Sequence, residues 1–353
     1  MDELTIPRPD DWHLHLRDGD ALRAVVGYTA AVFGRAIIMP NLRPPVQTVA
    51  QAEAYRARIL AALPPLPPGR GAQFEPLMTL YLTPSTTPQE VARAAASEHV
   101  VGIKLYPAGA TTNAEAGVAD LRGVEPVFAA MEQHDLPLLV HGESIDPEVD
   151  IFDREAVFIE RQLAPLVERF KKLRVVFEHI TTADAVDFVR AGPPTVAATI
   201  TPQHLLLDRN ALFAGGIRPH HWCLPVLKRE RHRRALLEAV ASGEPRLFLG
   251  TDSAPHEVGT KESSCGCAGI FSSPLALPLY AEAFDSVGAL DRLEAFASRN
   301  GPGFYRLPVA EQTVTLRREP APVPASFPFG EGRVVPLRAG GSVKWRVVDG
   351  GGA

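Results

Sequence analysis

Near the start of the chain, the stretch PDDWHLHLRDGD (residues 9–20) sets His13 and His15 one residue apart, with Arg17 and Asp18 close behind. On an extended strand, alternation sends His13, His15 and Arg17 to one face. Three groups able to carry positive charge repel one another there. The conflict is resolved if a metal takes both imidazoles as ligands and an anion meets the guanidinium. A solvated edge strand with two chance histidines is the alternative, and the rest of the chain has to decide.

Lys104, in VVGIKLYP, is the second unusual placement. Alternation turns its neighbours Ile103 and Leu105 towards a helical layer, so the ammonium faces the interior. That is costly unless it is paired or neutral. Pairing with Asp252 or another carboxylate is one solution. The other is a neutral amine that adds carbon dioxide and becomes a carbamate, turning a cation into an anion able to bridge two metals. Among four histidines and an aspartate, the carbamate is the preferred reading.

These side chains need elements to position them. Eight short β-rich runs recur along the chain: LTIPRPDDWHLHL, RAIIMPN, FEPLMTLYLT, VVGIKLYP, LPLLVHGES, LRVVFEHIT, TVAATITPQH and RLFLGTDSAPH. Between most of them lie segments with helical spacing, among them 48–63, 87–97, 153–170, 182–192, 228–243 and the region 274–299. Several begin on a Ser, Thr or Asp cap, and Gly192 and Gly243 fall where helices should stop. Alternation of this kind predicts a parallel sheet, and eight strands predict an α/β fold of the closed (β/α)8 TIM-type barrel. An open doubly wound sheet would usually carry a Gly-rich phosphate turn after its first strand, and none is present.

The polar residues carry the argument further. His13 and His15, Asn41, Lys104, His141, His179 and Asp252 lie within or at the C-terminal ends of six of these runs. In a barrel those ends meet at one mouth, where active sites are built. After about residue 309 the chain changes character. PAPVPASFPF is proline-rich, and RVVPLRAGGSVKWRVV reads as a hairpin turning at Gly340 and Gly341. The expected division is a barrel over 1–308 and a small β appendage over 309–353. LPPLPPG, at 63–69, reads as a turn-rich loop.

Composition narrows the function classes. The 353 residues are 46% hydrophobic and 22% charged, with a net charge of −5. No basic block suggests nucleic acid or an anionic membrane surface. No apolar run approaches the roughly 20 residues that span a bilayer. The N-terminus lacks the apolar core of a signal peptide. Three cysteines, Cys223, Cys265 and Cys267, form no even disulfide framework, so a reducing cytoplasm is expected. They read as ordinary loop thiols.

The segments DDWHLHLRD, MPN, GIKLYPAGATTN, LLVHGE, FEHITT, GIRPHHWCLPVLK and GTDSAPHEVGTKESSCGCAG closely resemble dihydroorotases of the bacterial single-function type, in the amidohydrolase superfamily. The match runs in order from residue 9 to about residue 306. The resemblance implies two zinc ions per subunit, bridged by N6-carboxylated Lys104 and a hydroxide. One would be held by His13, His15, the carbamate and Asp252, the other by the carbamate with His141 and His179. Arg17, Asn41 and His256 match positions that hold the substrate's carboxylate. Leu224 and Ala268 match positions whose backbone meets the ring amides, and Thr111 and Thr112 match the tip of a mobile loop that closes over substrate.

The activity so implied is reversible cyclisation of N-carbamoyl-L-aspartate to L-dihydroorotate in pyrimidine biosynthesis. Asp252 would be the catalytic proton carrier. Hydrolysis should need Asp252 ionised and cyclisation should start from the protonated state, so the two directions should favour alkaline and acidic pH. The resemblance also suggests a homodimer acting on a small molecule. Other cyclic amidohydrolases, such as hydantoinase or dihydropyrimidinase, need not bind a carboxylate, and Arg17, Asn41 and His256 argue against them. An inactive scaffold homologue should have lost metal ligands, and none is missing here. His99, His134, His204, His220, His221 and His232 read as structural or solvated.

Overall fold

A computed structural model of the chain describes residues 2–65 and 74–348; positions 66–69 of the expected turn-rich loop lie outside the described residues. The first strand, β1 (Glu3–Pro7), stands apart. Eight parallel strands follow: β2 (Asp11–Leu14), β3 (Arg35–Ile38), β4 (Glu75–Tyr81), β5 (Val100–Leu105), β6 (Leu138–Val140), β7 (Val175–Phe177), β8 (Val196–Ile200) and β9 (Leu247–Leu249). They pair in sequence order, each with the next. A parallel bridge from Leu14 to Ser253 and a hydrogen bond from the Asp252 N–H to the His13 carbonyl (2.9 Å) join the ends into a barrel.

Period-2 alternation builds two layers of core. Ala36, Ile38, Ile103, Leu105, Leu138, Val140, Val175 and Phe177 pack outwards against the helices. Ile37, Leu77, Leu139, Val176, Ala197 and Phe248 fill the barrel interior with Trp12, whose ring stacks on Tyr305 at 4.6 Å. Continuing the inner rows by two residues leads to Asn41 beyond Met39, His141 beyond Leu139, and Glu178 beyond Val176. The same rule that fills the lower barrel therefore aims polar groups into the upper barrel.

The helices match the expected segments closely. Val49–Ala62 starts on a capping box between Thr48 and Gln51, and Pro88–Ala95 and Ala183–Ala191 start on Thr87 and Thr182. The 153–170 segment is one helical stretch with a π-turn at Ile159–Leu163. Gly19–Val32 and Glu125–His134 complete the alternation. No helix among the described residues is long and apolar enough to cross a membrane.

Two expectations need correction. The first run is not one strand: β1 leaves the barrel and pairs antiparallel with β10 (Thr313–Arg317), while β2 begins only after Pro7 and Pro9. Proline supplies no N–H for a sheet ladder, which accounts for the break. The chain also turns at Gly340 (φ 69°), but the strands on either side of that turn do not pair with each other. Ser342–Val343 pairs with Ala321–Pro322, and Arg346–Val348 pairs with β10. The antiparallel hairpin lies earlier, between Phe327–Phe329 and Gly332–Val334.

Candidate metal centre and substrate pocket

Barrel closure sets the first three site residues. The His15 N–H donates to the Ser253 carbonyl (3.1 Å) as the Asp252 N–H donates to that of His13, locking the end of β2 to the segment after β9. His13 Nε2 and His15 Nε2 consequently lie 3.4 and 3.1 Å from Asp252 Oδ1. His179 follows β7 in a left-handed conformation (φ 43°), with its N–H donating to Thr199 Oγ1 at 2.7 Å. Beyond it, the backbone N–H and hydroxyl groups of Thr181 and Thr182 all donate to buried Glu155. This holds the turn that presents the imidazole. The His179 ring lies 5.0 Å from that of His13 and 4.8 Å from that of His141.

Lys104 lies beneath this cluster, wholly buried, with its ammonium paired to the Glu178 carboxylate. Its other face meets the Tyr106 ring, 4.8 Å from Nζ to the centroid. Glu178 also approaches His13, with Oε1 3.0 Å from Nδ1. His141 Nε2 lies 2.8 Å from Glu143 Oε2.

Charge in this floor is finely opposed. Burial depresses the Lys104 pKa despite Glu178, and takes His15 down to about 4. It also drives His179 well below the usual range, with His141 adding to the effect. Burial would lower His13 too, but Glu178 and Asp252 outweigh it and raise the ring to about 9. Asp252 is held well below its ordinary value because His13 overcomes the burial penalty. Two anionic carboxylates thus demand positive charge among imidazoles that burial would keep neutral.

That demand fits a metal. The donor atoms of His13, His15 and Asp252 lie within 4.8 Å of one another, as do those of His13, Glu178 and His179. His179 Nδ1 is buried without a hydrogen-bond partner. Imidazole nitrogens and carboxylate oxygens are the donor set of zinc and similar divalent ions.

Above the floor is a narrow, partly open cavity of about 20 Å³, room for little more than one water. His13, His15, His141, His179 and Asp252 line its lower part. Arg17, Asn41, Thr111, Thr112, Leu224 and Ala268 line its upper part. Arg17 reaches this position differently from the strand alternation expected. The strand ends at Leu14, and Arg17 lies on the turn beyond it in a left-handed conformation (φ 62°). Its carbonyl accepts from the Tyr55 hydroxyl, Nε donates to the Pro255 carbonyl (3.0 Å), and Nη2 lies 2.9 Å from His256 Nε2. Among the described residues, no carboxylate lies within ion-pair distance of Arg17.

His256 stands behind Arg17 and borders a larger outer cavity of about 630 Å³. Burial and the adjacent guanidinium lower its pKa to about 2, so the ring is neutral. The segment carrying Thr111 and Thr112 separates the inner cavity from the outer one. Asn41 Nδ2 donates to the Thr112 carbonyl (3.0 Å), Asn113 Nδ2 donates to the Asn41 carbonyl (2.9 Å), and Thr112 Oγ1 donates to the Ala268 carbonyl (3.4 Å).

The structure therefore gathers every residue singled out from the sequence, with Lys104 under the cavity and His256 beside it. Sequence reasoning missed Glu178, Glu143, Tyr106 and Asn113. Strict alternation from Val176 was the available signal for Glu178.

Comparison with known proteins places the site in context. The profile described as "Amidohydrolase family" matches residues 10–310. A curated dihydroorotase of Laribacter hongkongensis is 63% identical over 347 residues, covering 98% of this chain and 99% of its own. The crystal structure of dihydroorotase from Campylobacter jejuni superposes with a TM-score of 0.87 at 35% identity, covering 98% of this chain and 97% of its own. That of the Saccharomyces cerevisiae dihydroorotase in complex with 5-fluoroorotic acid does so with a TM-score of 0.89 at 30% identity, covering 99% of both chains.

Proposed function

The chain belongs to the amidohydrolase family and, within it, to the dihydroorotases, hydrolases of a cyclic amide in pyrimidine biosynthesis; on that premise we propose that its barrel mouth interconverts N-carbamoyl-L-aspartate and L-dihydroorotate over two zinc ions. The observation that carries the substrate assignment is Arg17, a guanidinium directly above the imidazole floor with no carboxylate among the described residues within ion-pair distance. An anionic ring completes it, whereas an uncharged ring would leave it unmatched.

Asp252, His13 and His15 would hold one metal, and His141 and His179 the other, with carbamylated Lys104 shared between them. His141 would use Nδ1, since Nε2 faces Glu143. The carbamate forms when the neutral Lys104 amine adds carbon dioxide and releases a proton. The depressed pKa of Lys104 favours that neutral form. Bound zinc would supply Lewis acidity, polarising the amide carbonyl and acidifying a water.

The chain's own groups do the rest. Arg17, with Asn41 and His256, grips the substrate carboxylate and so orients the ring. Backbone groups at Leu224 and Ala268 hold the ring amides. Thr111 and Thr112 close the top and exclude water. Asp252 takes a proton from the attacking water and delivers it to the departing ring nitrogen; ring closure runs the same transfer backwards. The reading includes a cytoplasmic location, in keeping with three unpaired cysteines, and a homodimer, which sedimentation would test.

The deciding assay offers zinc-supplemented protein L-dihydroorotate, hydantoin and dihydrouracil in parallel. Opening of dihydroorotate alone, abolished in Asp252→Ala, is the expected result. Turnover of the uncharged rings with dihydroorotate left intact would overturn the assignment.

A further inference from the structure

Two further lysines are buried, Lys228 and Lys261, each 3% exposed, and the chemistry above makes no use of Lys261. Among the described residues, no carboxylate lies within ion-pair distance of the Lys261 ammonium. Its three donors are instead all spent on backbone carbonyls: those of Trp222, Cys267 and Gly269, each at 2.8 Å. Burying an ammonium with no counter-anion is costly. Full saturation of its N–H groups offsets part of that cost. Burial lowers the pKa to about 8, so the group still carries its proton at neutral pH.

The three acceptors are informative because of what lies between them. The Cys267 and Gly269 carbonyls face Lys261, while the intervening Ala268 carbonyl has other partners. It meets Thr112 Oγ1 (3.4 Å) and His256 Nε2 (3.0 Å) at the cavity wall. The Trp222 carbonyl accepts both from Lys261 and from the Gly269 N–H (3.0 Å), tying this segment to the one that carries Leu224 into the cavity. Gly269 sits at φ 151°, and a Cβ there would lie 2.5 Å from the Ala254 carbonyl oxygen, so the segment is pressed close against the barrel.

We propose that Lys261 is a positioning residue whose ammonium clamps the 222–224 and 267–269 segments together, setting the backbone groups of Leu224 and Ala268 against the substrate ring. This rests on the dihydroorotase reading, because those backbone groups matter only if a ring amide meets them. The clamp touches neither the floor of the site nor Asp252. Its loss therefore weakens substrate binding and spares the chemical step and the metal.

The test compares zinc-loaded wild-type protein with Lys261→Met, which keeps the length and apolar stem and removes the donors. Dihydroorotate kinetics, zinc content and the labelling rate of Cys267 by a thiol reagent are measured. The expected result is a KM raised roughly tenfold or more with kcat within about threefold, unchanged zinc, and faster labelling of Cys267. An unchanged KM, or a fall in kcat alone, overturns the proposal. Should Lys261→Met not fold, Lys261→Gln is judged by the same split. Failure of both to fold also overturns it, because the ammonium would then be a structural brace. Absence of dihydroorotate turnover by the wild type would instead strike down the dihydroorotase reading, and this inference with it.

Discussion

Lys104 and Glu178 meet as an ion pair in the floor of the barrel, both side chains at 0% exposure. Glu178 thus occupies the ammonium that the proposed carbamate would consume. Carbamylation places two anions face to face, and only added cations reconcile them. Carbon dioxide uptake and metal uptake should therefore be coupled. Protein stripped of metal in carbon dioxide-free buffer should regain zinc and activity poorly with zinc alone, and fully with zinc plus bicarbonate. Lys104→Met should bind little metal and lose about 1–3 kcal/mol of stability, because buried Glu178 loses its ammonium and keeps His13, 3.0 Å away, as a charged partner. Full zinc loading of that variant would refute the bridging role.

On the proposed reading, Arg17 should govern which ring the site accepts. Its Nε and Nη2 contacts to Pro255 and His256 hold the guanidinium in one orientation, and among the described residues no carboxylate lies within ion-pair distance of it. Arg17→Gln should weaken dihydroorotate binding by about 1.5–3 kcal/mol, a KM rise of about ten- to a hundredfold, with metal content unchanged. Arg17→Lys should recover little of this, since a point charge does not reproduce the planar fork. Steady-state kinetics beside metal analysis decide it. Near-wild-type KM in Arg17→Lys would mean that charge alone, without bidentate geometry, is recognised.

Much of this is legible in the sequence. The eight strands announce themselves as short apolar runs, and the polar residue ending each of six runs marks the barrel mouth. Legibility failed where the determinant is not local. Glu178 was passed over for its neighbour His179, although alternation from Val176 turns Glu178 inwards and His179 reaches the site only through a left-handed backbone. Arg17 was placed on a strand that ends at Leu14. The appendage does hold a local hairpin, Phe327–Phe329 with Gly332–Val334, but the strands after Gly341 pair with distant partners: β10 lies between β1 and Arg346–Val348. Glycine pairs report where a chain can turn, and not which strands then meet.

His204 should make the fold sensitive to acid. Its ring is buried between Thr201 Oγ1 (2.7 Å from Nδ1) and the Pro225 carbonyl oxygen (3.0 Å from Nε2), and burial lowers its pKa from 6.5 to about 4. The unfolded chain therefore binds this proton first. The resulting stability is fully present above pH 6.5 and is lost as pH falls towards 4, by about 3 kcal/mol in all. His204→Gln should be less stable than wild type at neutral pH, and the gap should narrow as pH falls to about 4.5. Denaturant unfolding at both pH values tests this, and a gap that stays constant would show that His204 does not titrate across the transition.

The segment over the site is held down by a short chain of amides, and that chain should set how readily substrate gets in. With Thr112 seated against Ala268, the inner cavity of about 20 Å³ is too small for a six-membered ring, while the outer one of about 630 Å³ is ample. Binding therefore requires the segment to lift and reseat. Asn113 links it to the barrel in two ways: Nδ2 donates to the Asn41 carbonyl (2.9 Å), and its own carbonyl accepts from the Tyr81 hydroxyl (3.3 Å). Asn113 is left-handed (φ 59°), a conformation that Asp tolerates and Ala does not. Asn113→Asp thus removes the donor without adding backbone strain, and sets a carboxylate against the Asn41 carbonyl. The expected cost is about 1–2 kcal/mol of closure, read as a KM increase of roughly five- to thirtyfold and faster proteolysis between residues 108 and 116, with zinc content unchanged. Proteolysis and KM both at wild-type values would mean that Thr112 and Asn41 hold the segment without help from Asn113.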